Sequence, residues 1–259
     1  MVHPDWHPAE RQKYMKKMVF EGIKRSDWLI TGSHFTKAEI IRYAGYDPDK
    51  ICVIHHGVDH GMFKVYPTEE LENFRRRYNL PERYLLFVGS IEPRKNLYNL
   101  LQAYKGYYDS NQDAVPLILV GFQGWQNNKI ISMIRSLKDK VQYLGYLTDQ
   151  ELAYTYNLAT LFIYPSLYEG FGIPPLEAMA CGTPVITART TSIPEVCGEA
   201  VFYVEPHDPF DIQEKIESLI KQADLRKTLV QKGLDHCKKY SWEHSAQKHL
   251  ELFEMVMDL

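Results

Sequence analysis

The 259-residue chain has no apolar run near the ~18 residues that a membrane-crossing helix needs. Its amino end, MVHPDWHPAE, is too polar for a signal peptide. Cysteine is scarce. Cys52, Cys181, Cys197 and Cys237 show no C-x-x-C spacing and no zinc pattern. That excludes a disulfide scaffold and predicts buried free thiols in a reducing compartment. A basic excess is missing too: 30 Lys+Arg against 33 Asp+Glu leave a net charge of −3, which excludes a dedicated nucleic-acid binder. A local basic patch for phosphates stays compatible with that balance. Also absent are G-x-G-x-x-G, G-x-x-x-x-G-K-[ST] and G-x-S-x-G, so a plain Rossmann oxidoreductase is disfavoured. The ten histidines form no H-x-x-x-H pair on a plausible helix, and no metal site is expected. His55-His56, just before Gly57, reads as a structural turn. The expected protein is soluble and cytoplasmic, with membrane contact at most peripheral at the inner face.

What the chain does have is a globular composition. Apolar residues are 45% and charged residues 24%, which excludes disorder, collagen and coiled coil. The length allows one or two domains and a large core without staples. No internal repeat is visible. Helical spacing of Met15, Met18, Val19 and Ile23 predicts a helix over 9–25. Strands follow at 27–31 and 51–54, with a helix capped by Ser33 between them. Residues 55–68 have linker composition, and 68–78, with Arg75-Arg76-Arg77, reads as a helix with a solvated face.

After Pro81, apolar strands at 84–88, 117–120, 141–144, 161–164, 184–187 and 201–204 alternate with helices. The intervening helices are expected at 97–108, 129–137, 149–158 and 174–180. Three more, at 208–219, 224–238 and 242–257, close the chain. Continuous apolar strands alternating with helices predict an α/β fold: a Rossmann-like parallel sheet with helices on both faces. Ligands of such sheets bind beyond the carboxyl ends of the strands, so the loops after strands hold the candidate site.

Two of those loops stand out. Gly89-Ser-Ile-Glu-Pro-Arg-Lys-Asn96 combines small residues, Gly89 and Ser90, with the cations Arg94 and Lys95. Arg grips a phosphate with its fork and Lys adds a point charge. Exposed ornamental cations would sit badly at a helix start, so a phosphate role is favoured, and both are expected to be exposed. The second loop reads Pro165-Ser-Leu-Tyr-Glu-Gly-Phe-Gly-Ile-Pro-Pro-Leu-Glu177. Its prolines suit a first helical turn, leaving the amides of Gly172 and Ile173 free for an anion. Glu169 and Glu177 could accept hydroxyls of a sugar or ribose. Their Glu-x7-Glu spacing is weak alone, since Glu243 and Glu251 repeat it without a glycine loop. A capping carboxylate plus a structural ion-pair partner is the competing reading, and the setting of two phosphate-suited loops on one sheet edge favours the functional one.

At these residues the chain resembles the retaining glycosyltransferases of family 4, also called glycosyl transferase group 1. The likeness runs through 89–96, Val141-Gln-Tyr-Leu-Gly-Tyr146, the block 164–185 and Ser192-Ile-Pro-Glu-Val196. Upstream, Ser33-His-Phe-Thr-Lys37 and Gly57-Val-Asp59 continue it. The resemblance implies the GT-B architecture, two Rossmann-like domains with the active site between them. It divides the chain into residues 1–66, the end of an N-terminal acceptor domain plus linker; 67–240, the nucleotide-sugar-binding domain; and 241–259, a helix crossing back. It implies Arg94 and Lys95 on the donor diphosphate, Glu169 near the donor sugar, and Glu177 on the ribose. Amides of Gly172 and Ile173 would face the phosphates, beside Phe171, and the backbone at Tyr146 would run near the base. Gly89 and Ser90 complete that implied binding set.

The implied reaction is transfer of a hexosyl unit from a nucleotide-diphosphate sugar, GDP-mannose favoured over a UDP-hexose. The acceptor would be a glycan or lipid-linked saccharide, with retention at the anomeric carbon and no cofactor or metal. Family members carry a catalytic-region His in a segment upstream of anything here. The resemblance therefore implies a piece of a longer protein, a shortened gene product, or one half of a two-chain enzyme. Weak or absent transfer is expected from the chain alone, with a separate acceptor-domain chain as partner. The alternatives are a non-catalytic sugar-nucleotide-binding subunit and a nucleotide-sugar epimerase of GT-B fold.

Overall fold

A computed structural model describes residues 3–125 and 127–258. Helix α1 (Ala9–Arg25) leads into strand β1 (Leu29–Thr31), helix α2 (His34–Ala44) and strand β2 (Ile51–Val53). β1 and β2 pair in parallel as a two-stranded sheet. α2 begins where Ser33 Oγ accepts the Thr36 amide and ends at Gly45 in the left-handed conformation. The expected α1 forms, yet it buries none of its residues, and Met15, Met18 and Val19 are exposed.

The second sheet follows α3 (Thr68–Arg77). Its strands are β3 (Leu85–Val88), β4 (Leu117–Val120), β5 (Val141–Gly145), β6 (Leu161–Tyr164), β7 (Val185–Ala188) and β8 (Phe202–Val204). Between them run α4 (Leu97–Ser110), α5 (Asn128–Ser136), α6 (Asp149–Leu158), α7 (Ile173–Ala180) and α8 (Ile193–Cys197). α9 (Pro209–Lys221), α10 (Ala223–Cys237) and α11 (Trp242–Met257) close the chain. The short α8 is the one helix that periodicity missed, because five residues hold too few turns to show a period.

All neighbours in the six-stranded sheet are parallel, in the order β5-β4-β3-β6-β7-β8. β3, β4 and β6 are buried on both faces, which explains their unbroken apolar runs. Alternation of side chains splits them between two cores. Leu86, Val88, Ile118, Val120, Phe162 and Tyr164 pack with α3, α6 and α7 on one face. Leu85, Phe87, Leu117, Leu119, Leu161 and Ile163 pack with α4 and α9 on the other.

The strand order reverses between β3 and β6, and the carboxyl edge at such a switch point is where open parallel sheets bind ligands in a crevice. Gly121, after β4, lets the backbone close up beside it. Its φ is +136°, and a Cβ there would meet the Gly89 carbonyl oxygen at 2.2 Å. α11 starts against the first unit: Ser241 bridges to Val58. Its outer residues Leu250, Phe253 and Met257 are exposed.

Candidate active site

The loop after β3 folds as a single turn of 3-10 helix, Pro93–Lys95, capped by Asn96 in the left-handed conformation. The Asn96 amide group then donates to the carbonyls of Pro165 and Pro206, 3.0 and 2.7 Å away, which locks this turn to the loop after β6. The lock places Arg94 and Lys95 directly over Glu169. Glu169 Oε2 lies 2.6 Å from Arg94 Nη1, and Oε1 lies 2.8 Å from Lys95 Nζ. Oε1 also accepts from the hydroxyls of Tyr164, at 2.7 Å, and Ser166, at 2.5 Å. Arg94 further donates to the Tyr168 carbonyl and to Glu92, each at 2.8 Å.

Sequence reasoning expected both cations to be exposed. The structure corrects this: Lys95 is 8% exposed and Glu169 8% exposed, while Arg94 keeps partial exposure. Burial pushes the Lys95 ammonium below its ordinary value, and Glu169 only partly restores it. For Glu169 burial alone would raise the carboxyl, but Lys95 and Arg94 outweigh it and hold it low, so it is ionised. Arg94 is held above its ordinary value because Glu169 and Glu92 overcome its burial. Two cations and two carboxylates thus form one compact cluster, in which Glu92 Oε2 is buried without a hydrogen-bond partner. Tyr164 and Ser166, which fix Glu169, were not singled out in the sequence, because a Tyr ending a strand reads as core.

Glu177 stands apart from this network. It lies on α7, partly exposed, with the Tyr156 hydroxyl 3.2 Å from Oε2. Burial pushes its carboxyl up to about 7, against the Tyr156 hydrogen bond and with Asp149 adding to the rise. Among the described residues no salt bridge reaches it. The expected structural ion pair therefore describes Glu169 and not Glu177.

Gly172 caps α7 with φ +110°, a conformation that an L side chain strains to adopt. A Cβ there would also meet Ile193 Cδ1 at 2.6 Å. The turn presents the start of α7, at Ile173, to the crevice. Phe171, expected in the binding set, is 5% exposed, and its ring packs against His55, His56 and Tyr240. Its side chain supports the loop from behind and leaves only backbone for a ligand. Gly89 and Ser90 are partly exposed beside Lys95, while Tyr146 is 77% exposed just past β5.

The loop 165–172 is held from a second direction. The hydroxyls of Ser33 and Thr36 donate to the Gly170 carbonyl at 2.7 and 3.1 Å. Ser192 Oγ donates to the carbonyls of Glu169 and Phe171, both at 2.9 Å, and the Glu169 amide donates to Thr191 Oγ1 at 3.0 Å. Thr191 adopts φ +52°, a strained conformation that this pairing stabilises. Carboxylates, cations and loop are pre-positioned. Among the described residues no helix is long and apolar enough to cross a membrane.

Known proteins resemble this chain over most of its length. The O-antigen chain mannosyltransferase B of Escherichia coli is 34% identical over 255 residues, covering 98% of this chain and 67% of its own length. The serotype-specific mannosyltransferase WbdA of Escherichia coli is 32% identical over 255 residues, and there the chain spans only 31% of the relative. Among solved structures, Anabaena HepE in complex with UDP and glucose superposes with a TM-score of 0.83 at 19% identity, over 94% of this chain and 67% of that one. The sucrose-phosphate synthase of Thermosynechococcus elongatus gives 0.81 at 24% identity, over 100% and 64%. These two share the fold. The family described as Glycosyltransferase Family 4 matches residues 1–61. The family described as Glycosyl transferases group 1 matches residues 69–236, the whole span that carries the cation pair and both carboxylates, and this chain belongs to that family.

Proposed function

We propose that the chain is the donor-binding part of a retaining glycosyltransferase that moves a hexosyl unit from a nucleotide-diphosphate sugar to a glycan or lipid-linked acceptor. The observation that carries this is the Arg94–Lys95–Glu169 cluster at the switch point between β3 and β6. Cleavage of the bond from the anomeric carbon to the diphosphate puts growing negative charge on the leaving phosphate. Arg94 and Lys95, with the amides of Gly172 and Ile173, would stabilise that charge. One such preorganised donor is typically worth about 3–4 kcal/mol. With these donors on the leaving phosphate, the reaction is proposed to run without a metal.

In this reading Glu169 faces the donor sugar, and Glu177 accepts the ribose hydroxyls. Gly89 and Ser90 let the phosphates approach the backbone, and the chain at Tyr146 lies alongside the base. Mannose is the favoured sugar, since several relatives are named mannosyltransferases. GDP-mannose is accordingly the favoured donor, and a UDP-hexose is the rival. The acceptor half would come from further polypeptide or a separate chain, because the chain spans two thirds or less of those relatives.

Calorimetric titration of the purified chain with GDP, UDP, GDP-mannose and UDP-glucose tests this. Saturable binding of GDP-mannose, lost in Glu177→Ala, is the expected result. Binding of UDP-glucose alone would replace the proposed base and sugar, and binding of none would remove the donor reading.

A further inference from the structure

At the seam between the two sheets, three side chains converge that lie far apart in sequence. His34 opens α2, His55 follows β2, and Glu195 lies on α8. One ligand atom from each lies within 4.8 Å of the other two. His55 Nε2 is 2.9 Å from Glu195 Oε1. The rings of His34 and His55 meet edge to face with centroids 6.1 Å apart. The cluster opens to solvent, with His34 exposed and the other two partly so.

We propose that His34, His55 and Glu195 form a binding site for a divalent transition metal of the zinc class, tying α2 to α8. Two imidazoles and one carboxylate make up the three-ligand set with which zinc keeps an open position. Ligand distances near 2.0–2.2 Å would bring these atoms to within about 3.4 Å of one another, a contraction that small side-chain rotations supply. Glu195 is prepared for the role. Its oxygens accept the amides of His34 at 2.8 Å and Phe35 at 3.1 Å, which orients the carboxylate and leaves lone pairs free. A carboxylate there also faces the positive end of α2, whose first amides it accepts.

The site has a structural consequence. The residues just before α8, Thr191 and Ser192, hold the backbone of Glu169 and Phe171, while Ser33 and Thr36 hold Gly170. A metal joining α2 to α8 would clamp loop 165–172 from both sides. Metal uptake itself does not depend on the donor reading, and its test uses no nucleotide.

The full chain, stripped with a chelator, is titrated with Zn²⁺ by calorimetry and with Co²⁺ by visible absorption. One equivalent of each is expected to bind, with d–d bands for Co²⁺ and a rise in melting temperature. Loss of a direct ligand should weaken affinity by at least the roughly 10–100-fold seen for outer partners. His34→Ala is the cleanest variant, since His34 holds Glu195 through its backbone. His55→Ala should behave alike, and His244→Ala on α11 should bind as the parent does. Melting curves in chelator confirm that each variant is folded. Absence of stoichiometric uptake, or uptake unchanged in both His34→Ala and His55→Ala, overturns the site.

Discussion

Ser33 Oγ donates to the Gly170 carbonyl at 2.7 Å across 137 residues of chain, while accepting the Thr36 amide at 3.1 Å. One hydroxyl therefore starts α2 and fixes the loop that carries Glu169. Ser33→Ala is expected to lower stability by roughly 0.5–2 kcal/mol, the range for a lost N-cap. Denaturant unfolding measures it. A change within a few tenths would mean that Thr36 alone holds Gly170.

Glu169→Ala strands Lys95 in a buried setting and leaves the partly exposed Arg94 with Glu92 alone. Breaking a buried pair by removing one partner typically costs about 3–5 kcal/mol. A melting shift is expected for Glu169→Ala and a smaller one for Glu169→Gln, which still accepts from Ser166 and Tyr164. Equal effects in the two variants would show that charge plays no part.

Replacing Arg94 and Lys95 together by Ala would remove one partly exposed and one buried side chain, so loss of binding could simply report loss of fold. Arg94→Lys is the better probe. It keeps the charge and discards the fork, and nucleotide-diphosphate affinity should fall about tenfold with little change in melting temperature. Unaltered affinity in a folded Arg94→Lys would take Arg94 off the phosphates.

Glu177 gives a pH dependence of definite sign. Its carboxyl rises from 4.5 to about 7 on folding, so the native state retains a proton that the unfolded chain releases. Stability should therefore fall as pH rises through that interval and level off above it. The full shift corresponds to about 3 kcal/mol, reduced here because Glu177 is partly exposed to solvent. Urea midpoints between pH 4.5 and 8 should show the slope, and Glu177→Gln should flatten it. With GDP-mannose as probe, affinity should rise through pH 7 in the parent only.

Gly121→Ala tests the close approach of the loops after β3 and β4. The left-handed region costs an L residue roughly 1–2 kcal/mol, and contact with the Gly89 oxygen adds to that. Differential scanning calorimetry should find a loss larger than this strain alone.

Most elements were legible because their signals are local. The apolar runs at 85–88, 117–120 and 161–164 declared buried parallel strands, which the structure contains. The loops 89–96 and 165–173 declared themselves through glycine, proline and charge. Lys95 was misread as exposed because a lysine's burial depends on a partner 74 residues away, which no local pattern encodes. The burial of the Phe171 ring was not legible because the rings behind it, His55, His56 and Tyr240, come from two distant segments.

The amino-acid sequence by itself determined the α/β class, the parallel strands and the two loops that carry the chemistry. Those features follow from periodicity, propensity and backbone freedom over a few residues. Only the tertiary structure decided that β3 lies beside β6, that Glu169 stands between Arg94 and Lys95, that no salt bridge among the described residues reaches Glu177, and that His34, His55 and Glu195 meet. Each of these depends on strand order and on electrostatics in a buried setting, where the groups that neutralise one another are brought together by folding alone.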